Sequence, residues 1–219
     1  MARSDSVVTL TLNRLARRNA LSVGLRDAIS DALDDAVSDP GVKVVVITGV
    51  GSVFSAGFDL REFEQAAGDP EFDERLWASS DRYHRAVLTC ALPTIAIVNG
   101  PAIAGGFDLA VLCDLRIAAR TARFAHPERS FGDVVYGPLH DLVGGAIARE
   151  LTMGGREVDA DEALALHLVN EVVDAGDLAA AAQRWIERVC VAPRDVLIRL
   201  KAKTLARAQY GADVRTLEL

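Results

Sequence analysis

Two glycine-containing turns contain backbone groups that could bind a developing negative charge. The turns are residues 55–60 and 99–108, and each follows a run of apolar residues. Gly105 and Gly106 directly precede an apolar stretch with helical character, so the first N–H groups there would lack partners within the helix. One such donor from each turn would form an oxyanion hole. The plainer interpretation is that these glycines only permit tight turns.

Two acidic residues lie close to these turns in the sequence. Asp108 falls in the first helical turn after the glycines, among apolar neighbours, and Glu128 follows His126 and Pro127. Because a proline restricts the residue before it to extended conformations, Glu128 is predicted to follow a rigid segment. A carboxylate so placed could move protons. The alternatives are an acid that complements the helix dipole at 108 and a solvated loop acid at 128.

The apolar pattern predicts the elements that would position these groups. Predicted strands cover residues 7–12, 42–48, 94–98, 115–119 and part of 168–173; predicted helices cover about 22–38, 71–91 and 107–112. Continuous β-branched runs are typical of strands buried on both faces, and their alternation with helices indicates an α/β fold with a parallel or mixed sheet. In such a sheet both turns would lie at the carboxyl ends of strands, where ligands bind.

Composition narrows the class of partner and the cellular setting. The 219 residues are 50% hydrophobic with a formal net charge of −7, which argues for one α/β-sized domain and against nucleic acid as a partner. Three cysteines with apolar neighbours are expected to be reduced thiols. We find no signal peptide and no membrane-length apolar run, so a cytoplasmic protein without a membrane partner is expected.

The histidines give no sign of a metal site in the sequence. His84, His126 and His140 lack the paired spacing of known metal sites, and no cluster of cysteines accompanies them. We therefore predict that none of the three is a metal ligand.

Five segments, in order, resemble the enoyl-CoA hydratase/isomerase (crotonase) superfamily. They are residues 12–14 with 19–21, 54–60, 99–114, 127–128 and 154–169. The last segment has His167 where the family usually has glycine. The resemblance implies a crotonase-like ββα superhelix, the ClpP/crotonase fold, within the α/β class. Residues 1–137 would form the α/β core and residues 138–219 a C-terminal helical region. That region stops earlier than is usual in the family, so we expect a truncated or partly disordered C-terminus.

The resemblance also implies a substrate and a set of site residues. Backbone N–H groups of Phe58 and Gly105 would bind the thioester oxygen of an acyl-CoA, while Asp108 and Glu128 would face its acyl carbons. No metal or redox cofactor is implied, since coenzyme A enters as part of the substrate. A homotrimer or a hexamer is expected. Residues expected to contact CoA are Arg14, Arg17, Arg18, Ala56 and Arg61, and those expected to line the acyl pocket are Phe58, Gly132 and Tyr136.

Several departures from the family pattern leave the reaction open. Position 108 carries aspartate where the family's hydratases carry glutamate, which withdraws the carboxylate by about 1.5 Å. An aspartate followed by a glutamate is similar to dienoyl-CoA isomerases, but Tyr136 stands where those have a further aspartate. Residues 132–141 differ from the usual Gly/Pro-rich stretch, and the Phe58 ring would crowd the pocket. Hydration and double-bond isomerisation both remain open, beside a hydrolase, a decarboxylase or a non-catalytic acyl-CoA-binding protein.

The arginine-rich segment generates a prediction about binding. We expect CoA and acyl-CoA to bind with dissociation constants on the order of micromolar, and to bind more weakly as salt rises, because phosphates would meet arginines. Calorimetry at several salt concentrations measures both quantities. An absence of binding heat, together with no protection of residues 14–18 and 61 from hydrogen exchange, would contradict the prediction.

Overall fold

The structure, a computed structural model, describes residues 1–4, 6–130, 132–210 and 213–219. The described strands are β1 (Ala2–Ser4), β2 (Val7–Leu12), β3 (Val44–Gly49), β4 (Thr94–Val98), β5 (Ala102–Ile103), β6 (Leu115–Ala119), β7 (Arg123–Ala125), β8 (Val158–Asp159) and β9 (Glu171–Val173). They form a larger sheet in the order β1-β2-β3-β4-β6-β9 and a smaller one in the order β5-β7-β8. In the larger sheet, β1 and β2 are antiparallel and the other pairs are parallel.

Helices follow most of the larger sheet's strands. The described α-helices are α1 (Val23–Ser38), α2 (Leu60–Ala66), α3 (Pro70–Leu88), α4 (Gly105–Leu112), α5 (Gly137–Arg149), α6 (Ala160–Ala165), α7 (Leu178–Cys190) and α8 (Arg194–Ala208). Side-chain caps explain two of the starts, because an oxygen acceptor satisfies an N–H group that the helix leaves free. Ser22 accepts from the Leu25 N–H at 3.3 Å, and Asp69 accepts from the Phe72 N–H at 3.1 Å.

The parallel strands are buried on both faces, as their uninterrupted apolar runs predict. In β3, Val45 and Ile47 belong to one apolar cluster, whereas Val44 and Val46 belong to another on the opposite face. Helices α1, α3 and α4 contribute to the first cluster, and α7 covers the second. The sheet is therefore the middle layer of the fold. Polar groups can reach a ligand at the carboxyl ends of its strands.

Most of the predicted elements are confirmed, with differences at their ends. The strands at 7–12, 94–98 and 115–119 match to the residue, and α1 begins directly after its predicted cap. Helix α4 begins at Gly105, two residues earlier than predicted, so the glycines are its first turn. The apolar pattern missed the short helix α2 and the smaller sheet, whose strands have two or three residues. Elements this short do not show a clear period.

The C-terminal part is tied to the core by buried polar contacts. The ammonium group of Lys201 in α8 contacts Asp114 at 2.6 Å, and its side chain is 4% exposed. Asp114 also accepts from the Thr94 N–H at 2.8 Å, at the start of β4. Within the described residues, no helix combines the length and apolar character needed to cross a bilayer.

The two glycine turns meet beyond the carboxyl ends of β3 and β4 in the larger sheet, as predicted. Since β3 and β4 are parallel, the chain leaves both strands in the same direction. The Ile103 N–H then donates to Ser55 O at 2.9 Å, joining the two turns. A Cβ on Gly106 would lie 2.3 Å from Ser55 O, so a side chain at 106 would push the turns apart.

This contact predicts that Gly106→Ala is strongly destabilising. Its new methyl group meets backbone rather than a movable side chain, so we expect a loss of about 3 kcal/mol or more in the free energy of unfolding. Gly24→Ala is the matched control, because nothing lies within 4 Å of a Cβ there and the site is exposed in α1. The control should be neutral or stabilising by up to about 1 kcal/mol. Urea denaturation measures both, and equal effects of the two variants would contradict the prediction.

Candidate active site

The predicted oxyanion-hole residues lie next to each other where the turns meet. Gly57 has φ +87°, and a Cβ there would lie 3.0 Å from Gly105 N and 2.9 Å from Ile103 O. A Cβ on Gly105 would lie 3.6 Å from Phe58 N. Among the contacts of the described residues, neither the Phe58 nor the Gly105 N–H group donates a hydrogen bond. Two free donors on adjoining backbone segments have the arrangement that binds an oxyanion; the role itself stays a prediction.

Two asparagines hold in place the segment that leads from β3 to the first turn, and the sequence did not single them out for this. Asn19 is fully buried and donates to Val53 O at 2.8 Å and to Val50 O at 3.0 Å. Asn99, which directly follows β4, accepts from the Gly49 N–H at 3.1 Å and donates to Gly51 O at 2.8 Å. Asparagine suits both positions because its amide both donates and accepts.

Ala104 supplies the sharp turn that starts α4. Its φ is +54°, a left-handed value that is uncommon for a residue other than glycine. The turn is held by the Ala104 N–H, which donates to Ala125 O at 2.9 Å, and by the Asp108 N–H, which donates to Ala104 O at 3.1 Å. Residues in sparsely populated conformations of this kind cluster at functional sites.

The two predicted catalytic acids converge, and a histidine lies between them. His126 Nδ1 is 2.9 Å from Glu128 Oε1 and 3.8 Å from Asp108 Oδ1. One ligand atom of each of the three residues lies within 4.8 Å of the others. The shorter aspartate therefore still reaches the second acid, because α4 and the 3₁₀ turn Pro127–Ser130 face each other.

Burial and the neighbouring charges shift the pKa values of Asp108 and His126. The Asp108 side chain is 9% exposed, and its burial raises the pKa of Asp108 to about 7, against a lowering effect of the nearby His126 charge. The pKa of His126 is also raised: burial lowers it, but the hydrogen bond with Glu128 and the charge of Asp108 together raise it more. Carboxyl groups that titrate near neutrality can give and take protons there.

Sequence spacing did not reveal that His126 belongs with the two acids. His126 lacks paired spacing along the chain, but spacing does not report a cluster made from α4 and a later turn. Such a cluster has the composition of a cation site, although the 2.9 Å distance is that of a hydrogen bond. The prediction that the three histidines bind no metal stays a prediction.

The arginines predicted to bind CoA divide into two groups. Arg14 is engaged by the protein, since it donates to Asp59 Oδ2 at 2.8 Å and to Ala20 O at 2.6 Å. Arg17, Arg18 and Arg61 have exposed side chains. The Ala56 N–H donates to Arg18 O at 3.0 Å, which attaches the arginine segment to the first glycine turn.

The residues predicted to line the acyl pocket lie in different surroundings. The Phe58 ring packs beside Gly105 and under the guanidinium of Arg26, 4.3 Å from the ring centroid. Tyr136 packs near His140, with ring centroids 5.7 Å apart, and Gly132 is exposed. From this segment, the Val135 N–H approaches Asp108 Oδ1 at 3.4 Å.

A groove of about 750 Å³ lies elsewhere, between α4, α5 and α8. Its walls include Asp114, Lys201 and Tyr210, but neither Asp108 nor Glu128. It therefore lies apart from the candidate active site.

Comparison with known proteins decides the family. The sequence profile described as "Enoyl-CoA hydratase/isomerase" matches residues 2–219. The chain belongs to the enoyl-CoA hydratase/isomerase family. A Thermus thermophilus protein provisionally named an enoyl-CoA hydratase is 41% identical over 187 residues, which is 84% of this chain and 74% of that protein. The 2,3-dehydroadipyl-CoA hydratase of Escherichia coli is 35% identical over 180 residues, 78% of this chain and 68% of the relative.

Solved structures of this family confirm the predicted crotonase fold. An enoyl-CoA hydratase from Polaromonas sp. JS666 superposes with a TM-score of 0.87 at 30% identity, covering 96% of this chain and 84% of the other. His167 stands where the family usually has glycine, and its φ is +59°. Glycine adopts that left-handed conformation without steric cost.

Burial of Asp108 predicts a pH-dependent stability. Its folded pKa lies above that of the unfolded chain, so its favourable contribution is present below about pH 4 and is lost as pH rises through about 7. As the pH rises between these values, the free energy of unfolding of Asp108→Asn should therefore increase, relative to that of wild type, by on the order of 3 kcal/mol. Asp195→Asn, at an exposed position of α8, is the control and should show no such gain, since the pKa of Asp195 is lowered. Denaturant titrations from pH 4 to 8 measure both; parallel curves for wild type and Asp108→Asn would contradict the expectation.

Proposed function

We propose that this family member adds water across the double bond of a 2-enoyl-CoA thioester. The convergence of Asp108 and Glu128 carries the proposal, because oxygens within 4.8 Å of each other can both bind one water molecule. Two hydrogen bonds of about 2.8 Å to a tetrahedral water span such a separation. The relatives named as hydratases support the same reaction.

The proposed reaction uses the acids and the backbone donors in sequence. Glu128 takes a proton from the bound water, whose oxygen forms a bond to carbon three of the acyl chain. The π electrons of the double bond move onto the thioester oxygen, where the N–H groups of Phe58 and Gly105 stabilise the enolate by roughly 3 kcal/mol per donor. Glu128 then delivers that proton to carbon two and the carbonyl re-forms, giving a 3-hydroxyacyl-CoA and leaving Glu128 ionised again. Asp108 is assigned the secondary acid–base role.

Recognition of CoA is assigned to the exposed arginines beside the first turn. Arg17, Arg18 and Arg61 have exposed side chains that can meet phosphates locally, although the chain as a whole is acidic. Arg14, which is also predicted to contact CoA, forms an ion pair with Asp59 that helps to hold that turn. By family resemblance we also propose a trimer or a dimer of trimers.

Double-bond isomerisation is the second candidate reaction. It is favoured by the aspartate at position 108, where the family's hydratases carry glutamate. Moving a double bond needs proton transfer between carbons of the substrate and incorporates no water oxygen.

Incubation with a panel of 2-enoyl- and 3-enoyl-CoA esters in ¹⁸O-labelled water tests the proposal. Hydration predicts a product heavier by one water molecule and carrying the label in its acyl part. An isomer of unchanged mass would support isomerisation instead. Release of free CoA or loss of carbon dioxide would indicate a hydrolase or a decarboxylase, and saturable binding without any product would indicate a non-catalytic binder.

Substitution of the acids predicts distinct outcomes. Glu128→Gln should lower turnover by at least about 100-fold while CoA binding is spared, because the amide keeps the shape but cannot take a proton. Asp108→Asn should also lower turnover. Asp108→Glu should raise the hydration rate in a hydratase with a withdrawn acid, but should lower activity through crowding in an isomerase tuned to aspartate.

Asp133→Asn is the control for these variants, because Asp133 is an exposed acid of the neighbouring segment. It should leave turnover unchanged. Exchange of the α-proton at the wild-type rate in Glu128→Gln would show that the base is a different group.

A further inference from the structure

His126 occupies the centre of the acid pair and has a fixed orientation there. Its side chain is fully buried, and its ring stacks on Phe107 with centroids 4.5 Å apart. Phe107 directly precedes Asp108 in α4, so one helical turn positions both the acid and the ring's packing partner. Pro127 restricts the backbone of His126 from the other side.

The hydrogen bond between His126 and Glu128 joins Nδ1 to Oε1 at 2.9 Å. When Glu128 is the ionised base it can only accept, so His126 Nδ1 then carries the hydrogen and donates it. Glu128 Oε2 is buried and has no hydrogen-bond partner among the described residues. The contact therefore fixes one oxygen of Glu128 and leaves the other available to a ligand.

The same nitrogen lies close enough to Asp108 for an electrostatic effect, though not for a hydrogen bond. The distance from Nδ1 to Asp108 Oδ1 is 3.8 Å. Asp108 from α4 and Glu128 from its own turn are the charged groups that act on His126, and Tyr83 from α3 lies near Asp108. A positive charge on His126 favours the ionised form of both acids, which burial opposes.

We infer that His126 is a positioning residue that joins Glu128 and Asp108 into one proton-sharing unit, with the Glu128 Oε2 atom directed to the reacting water. The inference rests on the proposed function, which supplies the reacting water molecule. It goes beyond that function by assigning a role to His126. The raised pKa values of His126 and Asp108 agree with a proton shared among the three groups near neutral pH.

Histidine NMR titration tests the link without any need for turnover. In the wild-type protein we expect His126 to titrate above the ordinary value for histidine, and to titrate at least about one pH unit lower in Glu128→Gln, which removes the negative charge. His140, which is exposed and 3.6 Å from Asp141, is the internal control and should not move. An unchanged His126 titration in Glu128→Gln would overturn the inference.

Two substitutions separate the hydrogen bond from the charge. His126→Asn puts an amide nitrogen near the Nδ1 position, so it keeps a donor but cannot be charged; His126→Phe keeps an aromatic ring against Phe107 but loses both properties. We expect kcat to fall on the order of 10-fold in His126→Asn and 100-fold in His126→Phe, with KM little changed. His140→Asn should behave as wild type.

The pH profile is the readout that a merely structural role would not move. Loss of a positive charge makes the neighbouring carboxyl groups hold protons more strongly, so both limbs of the His126→Asn profile should move to higher pH. A profile of reduced height at unchanged pH values would overturn the inference. Circular dichroism and thermal melting identify any variant that fails to fold, in which case the titration of Glu128→Gln decides alone.

Two further results would be informative. If the wild-type protein converts no acyl-CoA but His126 still responds to Glu128→Gln, the proposed function fails and the proton link stands. Calorimetric titration with Zn²⁺ and Mg²⁺ tests the cluster as a cation site. Saturable binding that raises wild-type turnover and disappears in His126→Asn would overturn the inference and assign the cluster to a metal.

Discussion

The contact between two backbone turns is the constraint on which the rest of this site depends. Gly57 packs against residues 103–105 and Gly106 packs against Ser55, with no space for a Cβ at either glycine. The two turns can meet because β3 and β4 are parallel neighbours, so that both turns follow the carboxyl ends of adjacent strands. Where the turns meet, the N–H groups of Phe58 and Gly105 are close together, and α4 begins at Gly105.

The start of α4 connects the backbone donors to the acids. Asp108 is one turn beyond Gly105, and Phe107 beside it packs against the ring of His126, which in turn contacts Glu128. The site is therefore assembled from a few short segments, each held by backbone hydrogen bonds or close packing. Because most of these groups sit on strand ends or helix starts rather than on long loops, their geometry is well restrained.

Burial of Asp108 raises the pKa of its carboxyl group and also limits stability at neutral pH. An aspartate in water is ionised at neutral pH, whereas the pKa of Asp108 is raised to about 7 by removal from solvent. Lys201 shows the other way to keep a charge inside, because its buried ammonium group directly contacts the partly exposed Asp114. Asp108 and Glu128 instead lie beside His126, whose own charge depends on pH.

Local sequence determined the main strands, the capped start of α1 and the two glycine turns, because apolar period and glycine conformation are properties of a few adjacent residues. The family motifs added the identity of both acids. Tertiary structure alone decided that Asp108 still reaches Glu128, that His126 lies between them, and that Arg14 pairs with Asp59. Apart from the pair His126 and Glu128, which are two residues apart, those contacts join residues from separate elements, and their distances depend on how helices and turns pack, which no local pattern records.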